Sequence, residues 1–391
     1  MVHVANLAVP RRTYIGGGTV DKIAVLLAEL GIAHPLIVTD PFMVKSGMVR
    51  AILDPLEAAG IPAGVFSDTI SDPTDTVIEA GVTHLREGGH DGMIGFGGGS
   101  PIDTAKAMGV LFANRGKMRD YKVPHPIPRP GLPIVAVPTT AGTGSEVTRF
   151  TVIGDTETDE KMLIAGASLV PQGAIVDYEL TMKLPPRLTA DTGIDALVHA
   201  VEAYVSQKRN SVASMYAVDA MQRIAPHLRR VYADASDREA REQMMLGATQ
   251  AGLAFSTASV ALVHGMSRPL GAHFHVHHGM SNAMLFPAVS TFSIPAATAE
   301  YAACARACGW ATPSDADEKA ARSFVEELES LNRDLEVPTP AQFGIEEARY
   351  RELMPLMADQ ALASGSPNNN PRVPTKEEIL SIYEGIYSTS S

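Results

Sequence analysis

The sequence has little of what marks secreted, nucleic-acid-binding or membrane-spanning proteins. Its 391 residues include only two cysteines, and 44 acidic against 32 basic residues give a formal net charge of −12. Such a charge leaves no basic stripe to neutralise phosphates, which argues against nucleic-acid and anionic-membrane partners. No apolar run approaches the roughly 18 residues of a membrane span, and residues 1–10 lack the pattern of a signal peptide. We therefore predict a cytoplasmic protein that acts on a small molecule.

The two cysteines, Cys304 and Cys308, are four positions apart in an alanine-rich segment. This spacing places both thiols on one helix face, where a disulfide has poor geometry. We expect free, buried thiols in a reducing compartment.

The chain is too long for one ordinary core, and its pattern changes near residue 185. Before that point, strand-like segments at 35–39, 63–66, 92–96 and 133–137 alternate with helical patterns at 45–60, 74–88 and 101–112. This order predicts a parallel sheet covered by helices on both faces. Further strand-like segments lie at 149–153 and 174–177. After Pro185 and Pro186 the chain reads as successive helices, with a surface loop at 364–374, so we predict domains 1–184 and 185–391.

A glycine triplet, Gly97-Gly98-Gly99, followed by Ser100 and Pro101, lies between a predicted strand and a predicted helix. Without side chains, the glycines let backbone N–H groups approach a pyrophosphate, and the helix dipole favours the bound anion. Ser100 is expected to cap the helix, and Pro101 suits its first turn. The alternative for a glycine triplet alone is a plain tight turn, but the strand-turn-helix context favours phosphate binding.

A second loop of small and hydroxyl-bearing residues, 139–145, follows the strand that ends at Val137. It suits close approach to a phosphate or ribose, although a simple small-residue connection remains the alternative. Asp40 ends the first predicted strand, where a carboxylate can bind an adenosine ribose and repel a 2′-phosphate. A solvent-facing aspartate is equally common there. Together these features favour NAD over NADP.

A third group of residues has the composition of a metal site. Asp195 and His199 are four apart on a predicted helix and can converge on one cation, and His264 and His278 add two imidazoles. One carboxylate and three imidazoles suit Fe²⁺ or Zn²⁺. The tract 273–278 contains four histidines, and the others must be supporting, proton-carrying or surface residues.

Taken together, these motifs resemble the iron-containing (group III) alcohol dehydrogenases, from Tyr14 to about residue 290. The resemblance implies a Rossmann-like α/β domain followed by an all-helical domain, the dehydroquinate synthase-like architecture. It implies that Asp195, His199, His264 and His278 bind iron or zinc. It also implies an NAD site formed by the following residues: Asp40, Gly97, Gly98, Gly99, Ser100, Pro101, Thr139, Thr140, Thr143 and Lys161.

The predicted function is metal-dependent hydride transfer between NAD(H) and a small primary or secondary alcohol or diol, or its aldehyde or ketone. His278 and His277 are the predicted catalytic residues, and a homodimer or larger homo-oligomer is expected by analogy. Two departures from the family concern the proton path: Arg268 stands where many members have a histidine, and His277 where relatives often have proline. The alternatives are a maleylacetate reductase-like enzyme, a dehydroquinate synthase-like lyase and a non-catalytic NAD-binding protein.

Overall fold

The computed structural model describes residues 4–158 and 160–388. They form two compact units, one of residues 7–182 and the other of residues 183–388 together with residues 4–6. The two cysteines are free and buried, as predicted.

The first unit is built on a six-stranded parallel sheet with the strand order β1-β8-β5-β4-β2-β3. Its strands are β1 (Arg12–Ile15), β2 (Pro35–Val38), β3 (Gly64–Phe66), β4 (Gly92–Gly97), β5 (Ile134–Pro138) and β8 (Gly173–Val176). A separate antiparallel hairpin consists of β6 (Phe150–Asp155) and β7 (Glu160–Ala165). The helices of this unit are α1 (Ile23–Leu30), α2 (Pro41–Lys45), α3 (Arg50–Ala58), α4 (Asp75–Glu87) and α5 (Gly99–Ala113).

Alternation along the strands gives this sheet two apolar faces. In β2, Leu36 and Val38 belong to one buried cluster, which includes side chains of α4 and α5. Ile37 belongs to the other cluster, which includes side chains of α1 and α3. Helices therefore cover both faces, as the strand-helix alternation predicts. Because the strands are parallel, β2, β4 and β5 end at one edge of the sheet, where ligands bind in open α/β folds.

Three local predictions for this unit differ from the structure. The helix expected at 45–60 is two helices, because Gly47 has φ +77° and breaks the run between α2 and α3. The strand expected at 149–153 pairs with β7 in the hairpin, outside the main sheet. The strand β1, at the edge of the sheet, was not predicted, because four residues give too short a pattern.

The second unit is helical throughout its described residues. Its helices are α6 (Pro186–Val205), α7 (Ser211–Ala233), α8 (Arg238–Ala258), α9 (Leu262–Phe274), α10 (His278–Ser293), α11 (Thr298–Ala307), α12 (Asp317–Asp334), α13 (Pro340–Phe343), α14 (Glu347–Ala363) and α15 (Lys376–Ser388). The helix α6 is buried on nearly all sides from Thr189 to Val205. A helix that is enclosed all round lies at the centre of its unit.

The segment 364–374, predicted as a surface loop, is largely buried at its centre. Asn370 is 1% exposed and donates from Nδ2 to Ser293 Oγ at 2.9 Å. Asn369 donates from Nδ2 to the carbonyl of Val260 at 2.9 Å, between α8 and α9. The prediction was wrong because these amides satisfy polar groups inside the unit, and composition alone does not reveal such partners.

Within the described ranges, we find no single helix that is both long and apolar enough to cross a membrane. One pair, α8 with α9, passes that test only when both helices are taken together, and the chain bends by 106° between them.

Burial makes His90 a source of pH-dependent stability in the first unit. The ring packs so closely on the backbone at Gly88 that a Cβ there would lie 2.3 Å from Nε2. Its Nδ1 pairs with the carbonyl of His34 at 3.2 Å, and Nε2 has no acceptor among the described residues. Burial lowers the pKa of His90, since a second proton would lack a partner.

We predict that the substitution His90→Asn costs more stability at pH 8 than at pH 5.5. Asn keeps a donor for the His34 carbonyl, and the lost packing costs about 1–2 kcal/mol at pH 8. As the pH falls below about 6.5, the unfolded chain takes up a proton before the folded one, so the wild type loses stability that the variant does not. The measurement is the difference in Tm between the two proteins at each pH. His125→Asn, at an exposed position, is the control, and an equal difference at both pH values would contradict the prediction.

Candidate metal centre and nucleotide-binding loops

Three imidazoles of the helical unit converge on one carboxylate oxygen, Asp195 Oδ1. Their Nε2 atoms lie 3.9 Å away for His199, 3.5 Å for His264 and 3.7 Å for His278. Asp195 and His199 lie on α6, His264 on α9, and His278 is the first residue of α10. The i, i+4 spacing on α6 aims its two groups in one direction, as the sequence predicts.

Burial differs across this cluster. Asp195, His199 and His264 are buried, and their ligand atoms lie within 4.8 Å of one another, whereas the side chain of His278 is 38% exposed. Burial by itself would raise the pKa of the Asp195 carboxyl, but the charges of His199, His278 and His264 outweigh it and hold that pKa far below its usual range. Asp195 is therefore ionised within an enclosed cluster whose exposed side is at His278.

Glu202 fixes the orientation of one imidazole in this cluster. His264 Nδ1 lies 2.7 Å from Glu202 Oε2, and since a carboxylate only accepts, Nδ1 carries the proton. The same carboxylate accepts from the backbone N–H groups of Ala261 at 2.8 Å and Val263 at 2.6 Å, at the start of α9. His264 Nε2, on the other side of the ring, faces Asp195 Oδ1 at 3.5 Å. Contacts of this kind orient the histidines of metal sites.

Asn282, one turn after His278 on α10, lies among the same ligand atoms. Its Nδ2 donates to Asp195 Oδ1 at 2.7 Å and lies 3.3 Å from His264 Nε2 and 3.4 Å from His278 Nε2. A single amide thus faces one carboxylate oxygen and two imidazole nitrogens, and its own Oδ1 is buried without a partner in the described structure. A carboxylate and three imidazoles directed at one point form a donor set that fits Fe²⁺ or Zn²⁺.

The other histidines of the tract 273–278 are not drawn into this cluster. His277 is 45% exposed, and its Nδ1 lies 3.6 Å from Asp191 Oδ2. Asp191 is buried and accepts from Arg187 Nε at 2.8 Å. His273 pairs with Gln360 Oε1 at 2.8 Å, and His275 is exposed with φ +54°. Of the supporting histidines that the sequence left open, only His277 has a buried carboxylate partner.

In the other unit, the glycine triplet lies where β4 ends and α5 begins. Gly97 has φ +144°, a conformation that favours glycine, and a Cβ on Gly99 would lie 2.9 Å from Thr143 Cγ2. The backbone N–H of Thr139 donates to the carbonyl of Gly97 at 2.8 Å. The two predicted phosphate-binding loops are therefore in contact.

The prediction that Ser100 caps this helix was wrong. The N-cap is Gly98, not Ser100, and Ser100 and Pro101 both lie in the first turn of α5. Because Gly98 has no side chain, no side-chain cap satisfies the first N–H groups of α5. They are the groups that suit an anion at a helix N-terminus.

The remaining predicted NAD residues fall in three places. Thr139 and Thr140 follow β5, and Thr139 Oγ1 is buried with no hydrogen-bond partner among the described residues. Asp40 follows β2 and caps α2, where its Oδ1 accepts from the N–H of Met43 at 3.0 Å. Lys161 lies on β7 and forms an ion pair with Asp72 at 2.9 Å. Among the described residues, we find no hydrogen bond or ion pair between Lys161 and the glycine loop.

A buried charge pair joins α5 to the second loop, and the sequence patterns did not reveal it. Lys106 Nζ donates to Ser145 Oγ at 3.1 Å and to the carbonyl of Phe150 at 2.9 Å, and Ser145 Oγ donates to Asp103 Oδ1 at 2.6 Å. Burial lowers the pKa of Lys106 to about 8 and raises the pKa of Asp103. The network holds the end of the 139–145 loop against the helix that follows the glycines.

Comparison with known proteins places both units in one family. The family model described as iron-containing alcohol dehydrogenase matches residues 10–178, and the C-terminal model of the same family matches residues 189–387. The chain belongs to the iron-containing alcohol dehydrogenase family.

Relatives in this family match the chain along nearly its whole length. A long-chain-alcohol dehydrogenase of Geobacillus thermodenitrificans is 38% identical, with 98% of this chain and 97% of the relative covered. The NAD-dependent methanol dehydrogenase of Bacillus methanolicus is 35% identical, with 97% and 99% covered. A crystal structure of 1,3-propanediol oxidoreductase superposes with a TM-score of 0.94 at 34% identity, covering 98% of this chain and 100% of that one.

The fold class predicted from the sequence is confirmed. It is that of the family, a Rossmann-like α/β unit followed by a helical unit. The predicted oxidoreductase function with NAD and a metal is confirmed at the level of the family. Two further residues at the metal cluster, Glu202 and Asn282, escaped the sequence analysis. Both repeat the spacing of the ligands, since Glu202 is one turn after His199 and Asn282 one turn after His278.

We predict that Glu202→Gln weakens metal binding by about 10- to 100-fold. The amide nitrogen of Gln would donate to His264 Nδ1 and leave the imidazole proton on Nε2, the atom that faces Asp195. The measurement is competition between the metal-free protein and a chromophoric chelator for Zn²⁺. Circular dichroism tests whether the start of α9 stays folded.

The control for this experiment is Glu326→Gln, the same change of charge at an exposed position on α12. It should leave the affinity within about twofold, as expected of a surface substitution. If the two variants bind Zn²⁺ equally well, Glu202 does not determine how His264 presents its nitrogen.

Proposed function

We propose that this chain is an iron-dependent NAD-linked dehydrogenase of small alcohols. It transfers a hydride between NAD(H) and a primary or secondary alcohol or diol, or the corresponding aldehyde or ketone. The observation that carries the proposal is the convergence of three imidazoles on the buried Asp195 carboxylate. Zinc suits the same donor set and is the alternative metal.

We assign the two halves of the reaction to different parts of the chain. Residues 1–184 would bind NAD, with Asp40 on a ribose, the glycine loop and Ser100-Pro101 on the pyrophosphate, and the 139–143 threonines and Lys161 along the dinucleotide. Support comes from the uncapped start of α5 and from the partnerless hydroxyl of Thr139. Residues 185–391 would bind the metal and the alcohol.

Asp195, His199, His264 and His278 would hold the metal, which when bound supplies a Lewis acid that lowers the pKa of an alcohol. Asp195 supplies the negative charge, and Glu202 keeps the proton of His264 on Nδ1. His278, the most exposed of the four, borders the side from which a substrate enters. The enclosed positions of the other three exclude water from the reacting oxygen.

The alcohol must lose a proton as well as a hydride, and we assign the proton to His277. Its Nδ1 faces Asp191, so Nε2 is the atom available to accept a proton and pass it to solvent. Arg268 cannot take this part, because a guanidinium stays protonated. The cytoplasmic location and the homo-oligomer expected from the sequence stay predictions.

We predict that the purified enzyme, stripped of metal and reloaded with Fe²⁺ without oxygen, reduces NAD⁺ with some of the C2 to C6 alcohols and diols. His278→Ala should lose bound metal and NADH production together, the latter by about a thousandfold or more, since metal-assisted deprotonation would be lost. Elemental analysis and absorbance at the NADH band are the measurements. His273→Ala, in the same tract but bound to Gln360, is the control. Full activity in a metal-free His278→Ala protein would refute the proposed function.

A further inference from the structure

Arg268 carries a charge that the described protein does not neutralise. It lies on α9 one turn after His264, so both side chains leave the same face of the helix. The guanidinium is partly buried, and its only hydrogen bond in the described structure runs from Nη1 to Ser366 Oγ at 3.0 Å. No carboxylate of the described residues lies within ion-pair distance of it. Four of its five N–H donors therefore have no protein acceptor.

Glu202, the carboxylate whose charge acts on Arg268, cannot serve as the counter-ion of the guanidinium. The Glu202 oxygens already accept from Ala261, Val263 and His264. Burial lowers the pKa of the Arg268 guanidinium. Arginine nevertheless stays protonated in proteins, so the cation remains.

Other arginines of this unit with a similar degree of exposure are paired with carboxylates. Arg187 contacts Asp191 and Arg229 contacts Asp334, with N–O distances of 2.8 Å and 2.7 Å. A partly buried cation without such a partner is costly unless a ligand supplies the anion.

The segment around Ser366 contacts the guanidinium from one side. Pro367 packs on α9 beside His264, so closely that a Cβ at Gly265 would lie 2.9 Å from Pro367 Cδ. Ser366, which is buried, then holds one nitrogen of Arg268 from that side. Arg268 itself leaves α9 on the face that also bears His264.

We propose that Arg268 binds the carboxylate of the substrate, and that the preferred substrates are short hydroxy acids and the corresponding oxo acids. This inference rests on the proposed function. Arg268 lies one helical turn after His264 on the same face of α9, so a carboxylate bound by the guanidinium would belong to a substrate whose hydroxyl is close by, as in a short hydroxy acid. An Arg fork binds a carboxylate with two parallel hydrogen bonds. In the reaction the carbinol carbon gives its hydride to NAD⁺, the hydroxyl gives its proton to solvent, and the carboxylate is unchanged.

The test compares each acid with a neutral diol of the same length, 3-hydroxypropionate with 1,3-propanediol and 4-hydroxybutyrate with 1,4-butanediol. We expect the Fe²⁺-loaded wild type to show a higher kcat/KM for the acid of each pair. Arg268→Met should lower the acid-to-diol ratio by about 10- to 100-fold, the loss expected for a hydrogen-bonded charge. Arg268→Lys should retain part of the preference, because it keeps the charge but not the fork.

The control is Arg322→Met, which removes an exposed arginine of the same unit and should leave the ratio unchanged. A measurement on the wild type alone guards against a variant that fails to fold: propionate should compete with the alcohol substrate at lower concentration than 1-propanol does.

Each outcome has a distinct meaning. Two results would overturn the assignment to Arg268 and leave the proposed function intact. One is that the wild type oxidises the diols and shows no preference for the acids. The other is that Arg268→Met has the same acid-to-diol ratio of kcat/KM as the wild type. Absence of NADH with every acid and diol would instead overturn the proposed function. Equal inhibition by propionate and 1-propanol would also count against an anion site.

Discussion

A carboxylate that is 2% exposed, Asp195, lies at the centre of the helical unit, and the arrangement around it follows from the need to compensate its charge. Burying an ionised carboxyl without partners costs far more than a folded domain can supply. The helix that carries it is enclosed on all sides, so compensation comes from side chains of this helix and of its neighbours. Imidazoles from α6, α9 and α10 and the amide of Asn282 provide it. A cation at this point would take over the same task with higher charge.

Glu202, which lies behind His264, links the Asp195 cluster to the backbone. Glu202 is also buried, and it accepts from two backbone N–H groups at the start of α9 as well as from His264. These N–H groups would otherwise lack partners inside the unit. One side chain thus caps a helix and orients an imidazole of the cluster. The start of α9 and the ring of His264 are therefore held by the same carboxylate.

The sequence predicted those features that depend on spacing along one element. The pair Asp195 and His199 and the glycine turn between β4 and α5 are of this kind, because helix and strand geometry determine their directions. Features that depend on contacts between distant segments could not be predicted. Glu202 is informative only once Val263 is known to lie beside it, and Asn370 looks like a loop residue until Ser293 is placed next to it. The error at Ser100 is different, since a serine was preferred on propensity where the glycine before it starts the helix.

An arginine instead of a histidine at position 268, beside the Asp195 cluster, affects both the path of the proton and the charge of the preferred substrate. A histidine at this position could exchange a proton, whereas a guanidinium can only donate hydrogen bonds and hold a positive charge. In the proposed reaction the proton then has to leave by another group, and we assign it to His277, which is half exposed and lies beside the buried Asp191. The positive charge, in turn, favours a substrate that carries a negative one. Both consequences follow from a single cation that Ser366 orients but does not neutralise.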